Sequence, residues 1–482
     1  MLPISMSLTR RNLILSGAAA ATAPFIHAAQ PKRNVLFIAS DDLNTCLGAY
    51  GHPIVRTPNI DRIAKRGIHF DRSYCQFPLC SPSRTSLLTG LSPDSTGVHE
   101  LKTHFRQNLP DVVTLPQLFQ KNGYFAGRVG KIYHYGVPGD IGTDGLDDAP
   151  SWNRRVNPNG VDHRKEEPLL TNYTPDRGLG SAICYHASTA KDEEHTDGIG
   201  AAAVIEMMEE HRSDPFFIGA GFYRPHVPWI APAKYFDLYP MEKIQPPPFN
   251  ESEMHQAPEW AYFTKPANWG MTTMQMREAI RAYYAAITFM DAQVGKLLDA
   301  LERLKLAENT TIVFWGDNGY QLGEHGQWMK QTVFERAARI PLLIGGAGVA
   351  ARGRACGRTV ELLDLYPTLV DVCGLQSAPG NLQGRSLKPL LANPAAAWDK
   401  PAISQVRRGR GESLVMGYSL RTERYRYSQW GEQGKLGDEL YDYQADPREV
   451  RNITADPKAA ALKANLRDRL AAILKTRPPV HV

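Results

Sequence analysis

The sequence predicts an α/β protein with a large, mostly parallel central sheet flanked by helices, followed by a small C-terminal α+β subdomain with an antiparallel sheet. Short uninterrupted apolar runs at residues 35–39, 216–220, 311–315 and 341–344 have the length of strands buried on both faces, the pattern a parallel sheet leaves. Helix-period segments lie between them at 59–65, 115–121 and 276–306. Beyond Gly384-Arg385-Ser386-Leu387 the character changes: 418–430 and 439–443 read as short antiparallel strands and 458–475 as a helical tail. The expected division is an export signal over 1–29, a catalytic domain over 30–385 and a smaller subdomain over 386–482.

The long helix is the firmest single element. Ile280, Tyr283, Ile287, Met290, Val294, Leu297, Leu301 and Leu304 recur at three- and four-residue spacing, one apolar stripe facing a core. Two stretches, 136–180 and 239–270, are rich in Gly, Pro and polar or aromatic residues and are expected to be long ordered loops that shape a pocket. Trp152, Trp229 and Trp260 serve either a core or a sugar platform. Six cysteines without a Cys-x-x-Cys pair argue against structural zinc, with Cys75 and Cys184 free to pair in an oxidising compartment.

Residues 1–29 carry Thr9-Arg10-Arg11-Asn12-Leu13-Ile14, then an Ala-rich stretch interrupted by Thr22 and Pro24, then Ala28 and Ala29. The paired arginines fit a twin-arginine signal and the lysine-free apolar stretch also suits the general secretory route; by either, a periplasmic or secreted bacterial protein is expected. The apolar stretch falls short of the roughly 20 residues a membrane span needs, and no later segment reaches that length. The formal charge of +5 includes Arg10 and Arg11, and no basic run interleaved with aromatics occurs, which argues against nucleic acid and suits a small anionic substrate.

Chemistry enters at the strand ends. Asp41-Asp42 follows the run 35–39 and Asp317-Asn318 follows 311–315, so both pairs stand at the carboxyl edge where open α/β sheets bind ligands. Three carboxylates and an amide oxygen suit a hard divalent cation, calcium before magnesium. In Cys80-Ser81-Pro82-Ser83-Arg84-Thr85-Ser86-Leu87-Leu88-Thr89-Gly90, Ser81 is the expected N-cap, Pro82 the first helical residue and Gly90 the stop. Cys80 then sits just before a helix N-terminus with Arg84 one turn along, a position that favours negative charge on its side chain.

The Cys80-Ser81-Pro82-Ser83-Arg84 segment with Leu87-Leu88-Thr89-Gly90 resembles the signature of the type I, formylglycine-dependent sulfatases. The resemblance runs from Asn34 to about Asn452, through Asp41-Asp42, the helix start Thr57-Pro58-Asn59-Ile60-Asp61, the turn from Gly123-Tyr124 to Gly130-Lys131, Asp317-Asn318, Leu440-Tyr441-Asp442, Asp446-Pro447 and Asn452. Within the family, Lys131-Ile132-Tyr133-His134, Tyr223-Arg224-Pro225-His226-Val227-Pro228 and Leu322-Gly323-Glu324-His325-Gly326-Gln327-Trp328-Met329-Lys330 resemble the iduronate-2-sulfatase branch, which has His where this chain has Asn318.

The resemblance implies an alkaline-phosphatase-like sandwich and hydrolysis of sulfate esters of a carbohydrate, 2-O-sulfated uronic acid among the candidates. It implies a formylglycine made from Cys80 by a maturing enzyme, and one divalent cation, calcium, held by Asp41, Asp42, residue 80, Asp317 and Asn318. It assigns Arg84 to holding the formylglycine hydrate and Lys131 and Lys330 to the sulfate. His226 protonates the departing alcohol, and His134 is the base that lets sulfate leave. His325 is either a substrate contact or structural. A phosphonate or phosphate ester hydrolase of the same superfamily is the alternative.

Overall fold

The computed structural model describes residues 32–409 and 411–479; the leader read at 1–29 lies outside them. A nine-stranded mixed sheet forms the centre. Its strands are β1 (Asn34–Ser40), β2 (Gly67–Tyr74), β3 (Phe125–Gly130), β4 (Arg154–Val156), β5 (Phe216–Phe222), β6 (Thr310–Gly316), β7 (Arg339–Ile340), β8 (Leu342–Gly346) and β9 (Arg354–Glu361). β1 lies between β5 and β6 with all three parallel, and β3 and β4 extend the parallel array beyond β5.

The uninterrupted apolar runs follow from helices covering both faces. In β1, Leu36 and Ile38 join one core cluster while Val35, Phe37 and Ala39 join the other, and none of the five is exposed. β8 departs from the expected direction, running antiparallel to β6 and β2. Leu343 enters one cluster and Leu342 and Ile344 the other, so its burial pattern equals that of a parallel strand, and apolar continuity does not encode direction.

The long helix spans Thr273–Arg303, with a capping box between Thr272 and Gln275, and buries its stripe against one face. Thr196–Glu210 packs on the same face, beside β3 and β5. Helix Leu115–Lys121 lies on the other. The segment 136–180 is not a plain loop: it contributes the edge strand β4 and half of a small hairpin, Thr171–Asn172. Its Gly, Pro, Asp and Asn content conceals strands of two or three residues. Residues 239–270 are irregular chain punctuated by short 3-10 turns, the long loop expected.

Towards the C-terminus, Ala402–Arg408, Val415–Arg421, Tyr425–Trp430 and Asp438–Asp442 form a four-stranded antiparallel sheet in sequential order, covered by helix Ala460–Lys475. The first of these strands escapes the sequence reading, because its tail, Gln405-Val406-Arg407-Arg408, looks like surface.

Candidate active site

β1 and β6 run in register, with Ser40 opposite Gly316, so the residues that follow them leave the sheet side by side. The Asp42 amide donates to Asp317 Oδ1 at 3.0 Å and the Asn318 amide donates to the same oxygen at 2.9 Å. Asn318 Nδ2 donates to Asp42 Oδ1 at 2.8 Å. Asp42 adopts a left-handed backbone, φ 60°, which turns its side chain into this cluster. Carboxylate oxygens of Asp41, Asp42 and Asp317 lie within 4.8 Å of one another and all three residues are fully buried.

Cys80 opens the helix Cys80–Thr89, with Leu79 as its cap residue. Ser81 is therefore inside the first turn and is not the N-cap, because the Ser83 amide closes that turn onto the Leu79 carbonyl at 3.1 Å. Pro82 becomes the third helical residue, where a missing N–H still costs nothing. Cys80 Sγ stands 3.8 Å from Asp42 Oδ1 and 3.2 Å from Lys330 Nζ, and that ammonium also pairs with Asp42. Gly90 ends the helix with φ 74°.

Arg84 clamps the cluster from below. Its Nε donates to Asp317 Oδ2 at 2.7 Å, one terminal nitrogen reaches Asp41 Oδ1 at 3.3 Å, and the other donates to the Ile132 carbonyl at 3.1 Å. Lys131, just past β3, places Nζ 2.6 Å from Asp41 Oδ2. His226 sits in the turn after β5 between two cis peptide bonds, Arg224–Pro225 and Val227–Pro228. Its Nδ1 is bonded to the Val227 carbonyl, which leaves Nε2 facing Asp42 Oδ2 at 3.6 Å. His134 is buried in the loop after Lys131, tied by the Leu146 amide to its carbonyl at 2.9 Å, and its Nδ1 has no hydrogen-bond partner.

Burial and neighbouring charge act against each other here. Burial raises the Asp41 pKa, but Lys131, His226, Arg84 and Lys330 outweigh it and hold the carboxyl well below the usual range. Asp317 is pushed up to about 6 by burial, with Arg84 opposing and Asp41 and Asp42 adding to the rise. Burial lowers His226 to about 4 against the pull of Asp42, and burial with Lys131 holds His134 well below its ordinary value. The Cys80 thiol is raised well above its ordinary value, by burial first and then by Asp41. This departs from the expectation from its place at a helix N-terminus: burial and Asp41 outweigh Lys131 and Lys330 and keep an unmodified Cys80 as a neutral thiol, a poor nucleophile.

The donor set fits a hard divalent cation. Asp42 Oδ2 and Asn318 Oδ1 are buried oxygens without a hydrogen-bond partner, next to the carboxylates of Asp41 and Asp317. Oxygens left in that state are costly unless something cationic meets them.

Residues outside the sequence-derived set support this edge. The Tyr283 hydroxyl donates to the Asp42 carbonyl at 2.8 Å and accepts from the Asn44 amide at 2.9 Å, while Ser83 Oγ donates to the Asp317 carbonyl. In sequence, Tyr283 registers only as one member of the helix stripe. His325 stands apart, stacked on Phe334 at 4.3 Å with Glu253 and Glu449 each 3.7 Å from its ring nitrogens. Trp152, Trp229 and Trp260 form no stripe, since each packs in a different apolar cluster. Cys75 and Cys184 are both free thiols.

Residues 33–375 match the family described as Sulfatase, and residues 323–476 match the one described as N-sulphoglucosamine sulphohydrolase, C-terminal. The chain belongs to the sulfatase family. This sulfatase is similar to a protein named Sulfatase from Formosa agariphila, 32% identical over 456 residues that cover 90% of this chain and 86% of the relative. It is similar to human iduronate 2-sulfatase at 29% identity over 520 residues, covering 89% and 92%. Its fold resembles the crystal structure of the phosphonate monoester hydrolase of Agrobacterium radiobacter, with TM-score 0.77, 23% identity and coverage of 92% and 96%. As a family member the protein is a sulfuric ester hydrolase with an alkaline-phosphatase-like fold. Among the described residues, no helix is long and apolar enough to cross a membrane.

Proposed function

We propose that this sulfatase removes sulfate from a sulfated carbohydrate, with a 2-O-sulfated uronic acid as the first candidate, and that residue 80 acts after a maturing enzyme has converted its thiol to formylglycine. The supporting observation is the state of Cys80, a neutral thiol held 3.2 Å from Lys330 Nζ and 3.8 Å from Asp42 Oδ1 beside three buried carboxylates. A cysteine protease-like role would need the thiolate that this setting suppresses. Export to the periplasm or medium is part of the same reading.

Asp41, Asp42, Asp317 and Asn318 would hold the cation, calcium in preference to magnesium, together with residue 80. Bound there, the cation lowers the pKa of a hydroxyl on hydrated formylglycine and screens the sulfate oxygens. Arg84 is fixed by Asp41 and Asp317 and cannot swing away, so it orients residue 80 from the helix side. Lys131 and Lys330 point into the same space and offset the sulfate charge in a dry pocket.

As a hydroxyl oxygen of hydrated residue 80 bonds to sulfur, the sulfur–oxygen ester bond breaks, its electron pair goes to the bridging oxygen, and His226 Nε2 supplies that oxygen with a proton. Burial lowers its affinity for a proton in the free enzyme, and the negative charge of bound sulfate acts to raise it. His134, neutral and with Nδ1 unpartnered, accepts the proton released as sulfate leaves residue 80.

The test is a set of rates. Protein co-expressed with a formylglycine-generating enzyme is given 4-nitrophenyl sulfate, a 2-O-sulfated uronate disaccharide and a phosphonate monoester, beside a Cys80→Ala control. Sulfate release that disappears in the control is expected, with the disaccharide preferred. Preference for the phosphonate would move the protein to the phosphonate hydrolases, and a residue 80 that stays a thiol in active protein, by peptide mass, would overturn the mechanism.

A further inference from the structure

The turn that carries His226 is fastened by a buried network distant in sequence. Asp197, in the first turn of helix Thr196–Glu210, accepts hydrogen bonds from the amides of both Tyr223 and Arg224, at 2.8 and 3.0 Å. The Arg224 side chain then runs back under the turn. Its Nε donates to the Ile230 carbonyl at 2.9 Å and a terminal nitrogen meets Asp162 Oδ2 at 2.7 Å. Asp162 Oδ1 in turn accepts from the amide and hydroxyl of Thr196, each at 2.7 Å, next door to Asp197. From the sheet side, Ser40 Oγ donates to the Arg224 carbonyl at 2.9 Å, and the His226 amide closes onto the Tyr223 carbonyl at 2.9 Å.

Asp162, Asp197 and Arg224 are all buried at 3% exposure or less. Keeping three charges out of water is costly, and burial pushes Asp197 up to about 6 although Arg224 opposes it. An apolar turn would avoid that cost but leave the Tyr223 and Arg224 amides buried and unpaired. The network instead fixes two consecutive amides just ahead of the histidine, and general acid catalysis is sensitive to sub-ångström aim.

Resting on the reading of His226 as the general acid, we infer that Asp197, backed by Asp162 and Arg224, is a positioning residue that aims His226 Nε2 at the departing oxygen. A carboxylate accepts both amides. The Asn side chain has one acceptor oxygen, so Asp197→Asn keeps one bond and turns an NH2 group against the other amide. The turn then loosens while the nucleophile, the lysines and the cation ligands keep their places.

General acid assistance matters most for a poor leaving group, which separates aim from ordinary structural damage. Matured full-length enzyme and its Asp197→Asn, Asp162→Asn and His226→Gln variants are assayed on 4-nitrophenyl sulfate, whose leaving group is good, and phenyl sulfate, whose leaving group is poor. His226→Gln is expected to cost about 100-fold or more in kcat on phenyl sulfate and under about 10-fold on the nitrophenyl ester. Asp197→Asn is expected to cost about 10-fold on phenyl sulfate and no more than about 2-fold on the nitrophenyl ester, with Asp162→Asn following in the same sense. If His226→Gln is selective but both network variants lose equally on the two esters, the positioning role is overturned while the general acid stands. If His226→Gln itself shows no selectivity, the acid assignment has failed and the positioning inference falls with it. Should Asp197→Asn not fold, Asp162→Asn alone decides, by the same ratio.

Discussion

Asp42 and Glu361 occupy comparable places, one just past β1 and the other at the last residue of the parallel edge strand β9, and neither has any solvent exposure. Their oxygens are finished differently. Glu361 Oε1 accepts from the Ile403 amide at 2.9 Å and from Arg477 at 3.1 Å, while Oε2 accepts from Arg477 at 2.7 Å and also pairs with Lys400. Asp42 Oδ1 meets Asn318 and Lys330, but Oδ2 has no hydrogen bond, and the neighbouring Asn318 Oδ1 has none either. A carboxylate closed on every side can only fasten the segments that close it. One left open retains valence for a ligand, and the difference separates a stabilising cluster from a reactive one in the same sheet.

The largest effect that would sharpen this contrast belongs to Cys80→Ala, which should lower sulfate release by about 10³-fold or more in matured protein. The same variant should move Tm by only about 2 °C. A comparable loss of stability would mean that the open cluster is structural after all. Asp317→Ala comes next. Activity should fall by about 10²-fold or more, and the rise in Tm that added calcium gives the wild type should vanish, because the variant has lost a ligand oxygen at the open cluster. An unchanged rate, or an undiminished calcium response, would refute the metal assignment.

Glu361→Gln is the converse. Leaving Arg477 buried against a neutral amide, with half-buried Lys400 keeping only Asp364, should cost about 3–5 kcal/mol of stability by denaturant unfolding, with kcat per folded molecule unchanged and no change in the calcium response. Loss of calcium response in this variant would break the distinction between the clusters.

The sequence reading separates these two clusters unequally, and the reason is range. Asp41-Asp42, Asp317-Asn318 and Cys80 through Arg84 are each short contiguous patterns at a strand end or helix start, so local rules and a family resemblance both find them. Glu361 owes its closure to Lys400, Ile403 and Arg477, far along the chain, and nothing near residue 361 announces them. Asp197 is hidden in the same way, because its partners at 223 and 224 meet it only after the helix has packed on β5. Strand existence was legible in β1, β5 and β6, whose faces are covered by helices and leave apolar runs, but not in β3, which occupies the expected turn between 123 and 131 although helices pack on both its faces, because its glycines interrupt the apolar run; strand direction was not legible, as β8 shows. Strands with mixed polarity, such as Arg354–Glu361 and Ala402–Arg408, leave no apolar run to read. The thiol of Cys80 is a further limit: its neighbours in sequence favour a charge, and its neighbours in space remove it.

The smallest effect is in acid, and it distinguishes the clusters by sign. Burial raises the Glu361 pKa, but Arg477 and Lys400 outweigh it and bring the carboxyl to about 2, below its ordinary 4.5. A depressed folded-state pKa gives stability that is fully present above pH 4.5 and is lost as the pH falls from there towards about 2. Asp317 behaves in the opposite sense in calcium-free protein. Its pKa of about 6 lies above the ordinary 3.8, so its contribution is fully present below pH 3.8 and is lost as the pH rises through about 6. Subtracting the unfolding free energy of Glu361→Gln from that of the wild type should therefore give a difference that shrinks below pH 4.5. For Asp317→Asn in the presence of a chelator, the corresponding difference should fall between pH 3.8 and 6, and calcium should flatten it, because a cation on Asp317 favours the ionised carboxylate over the protonated one. Two differences with the same slope would mean that the carboxylates at both strand ends are held in the same way, and that open oxygens do not mark the reactive cluster.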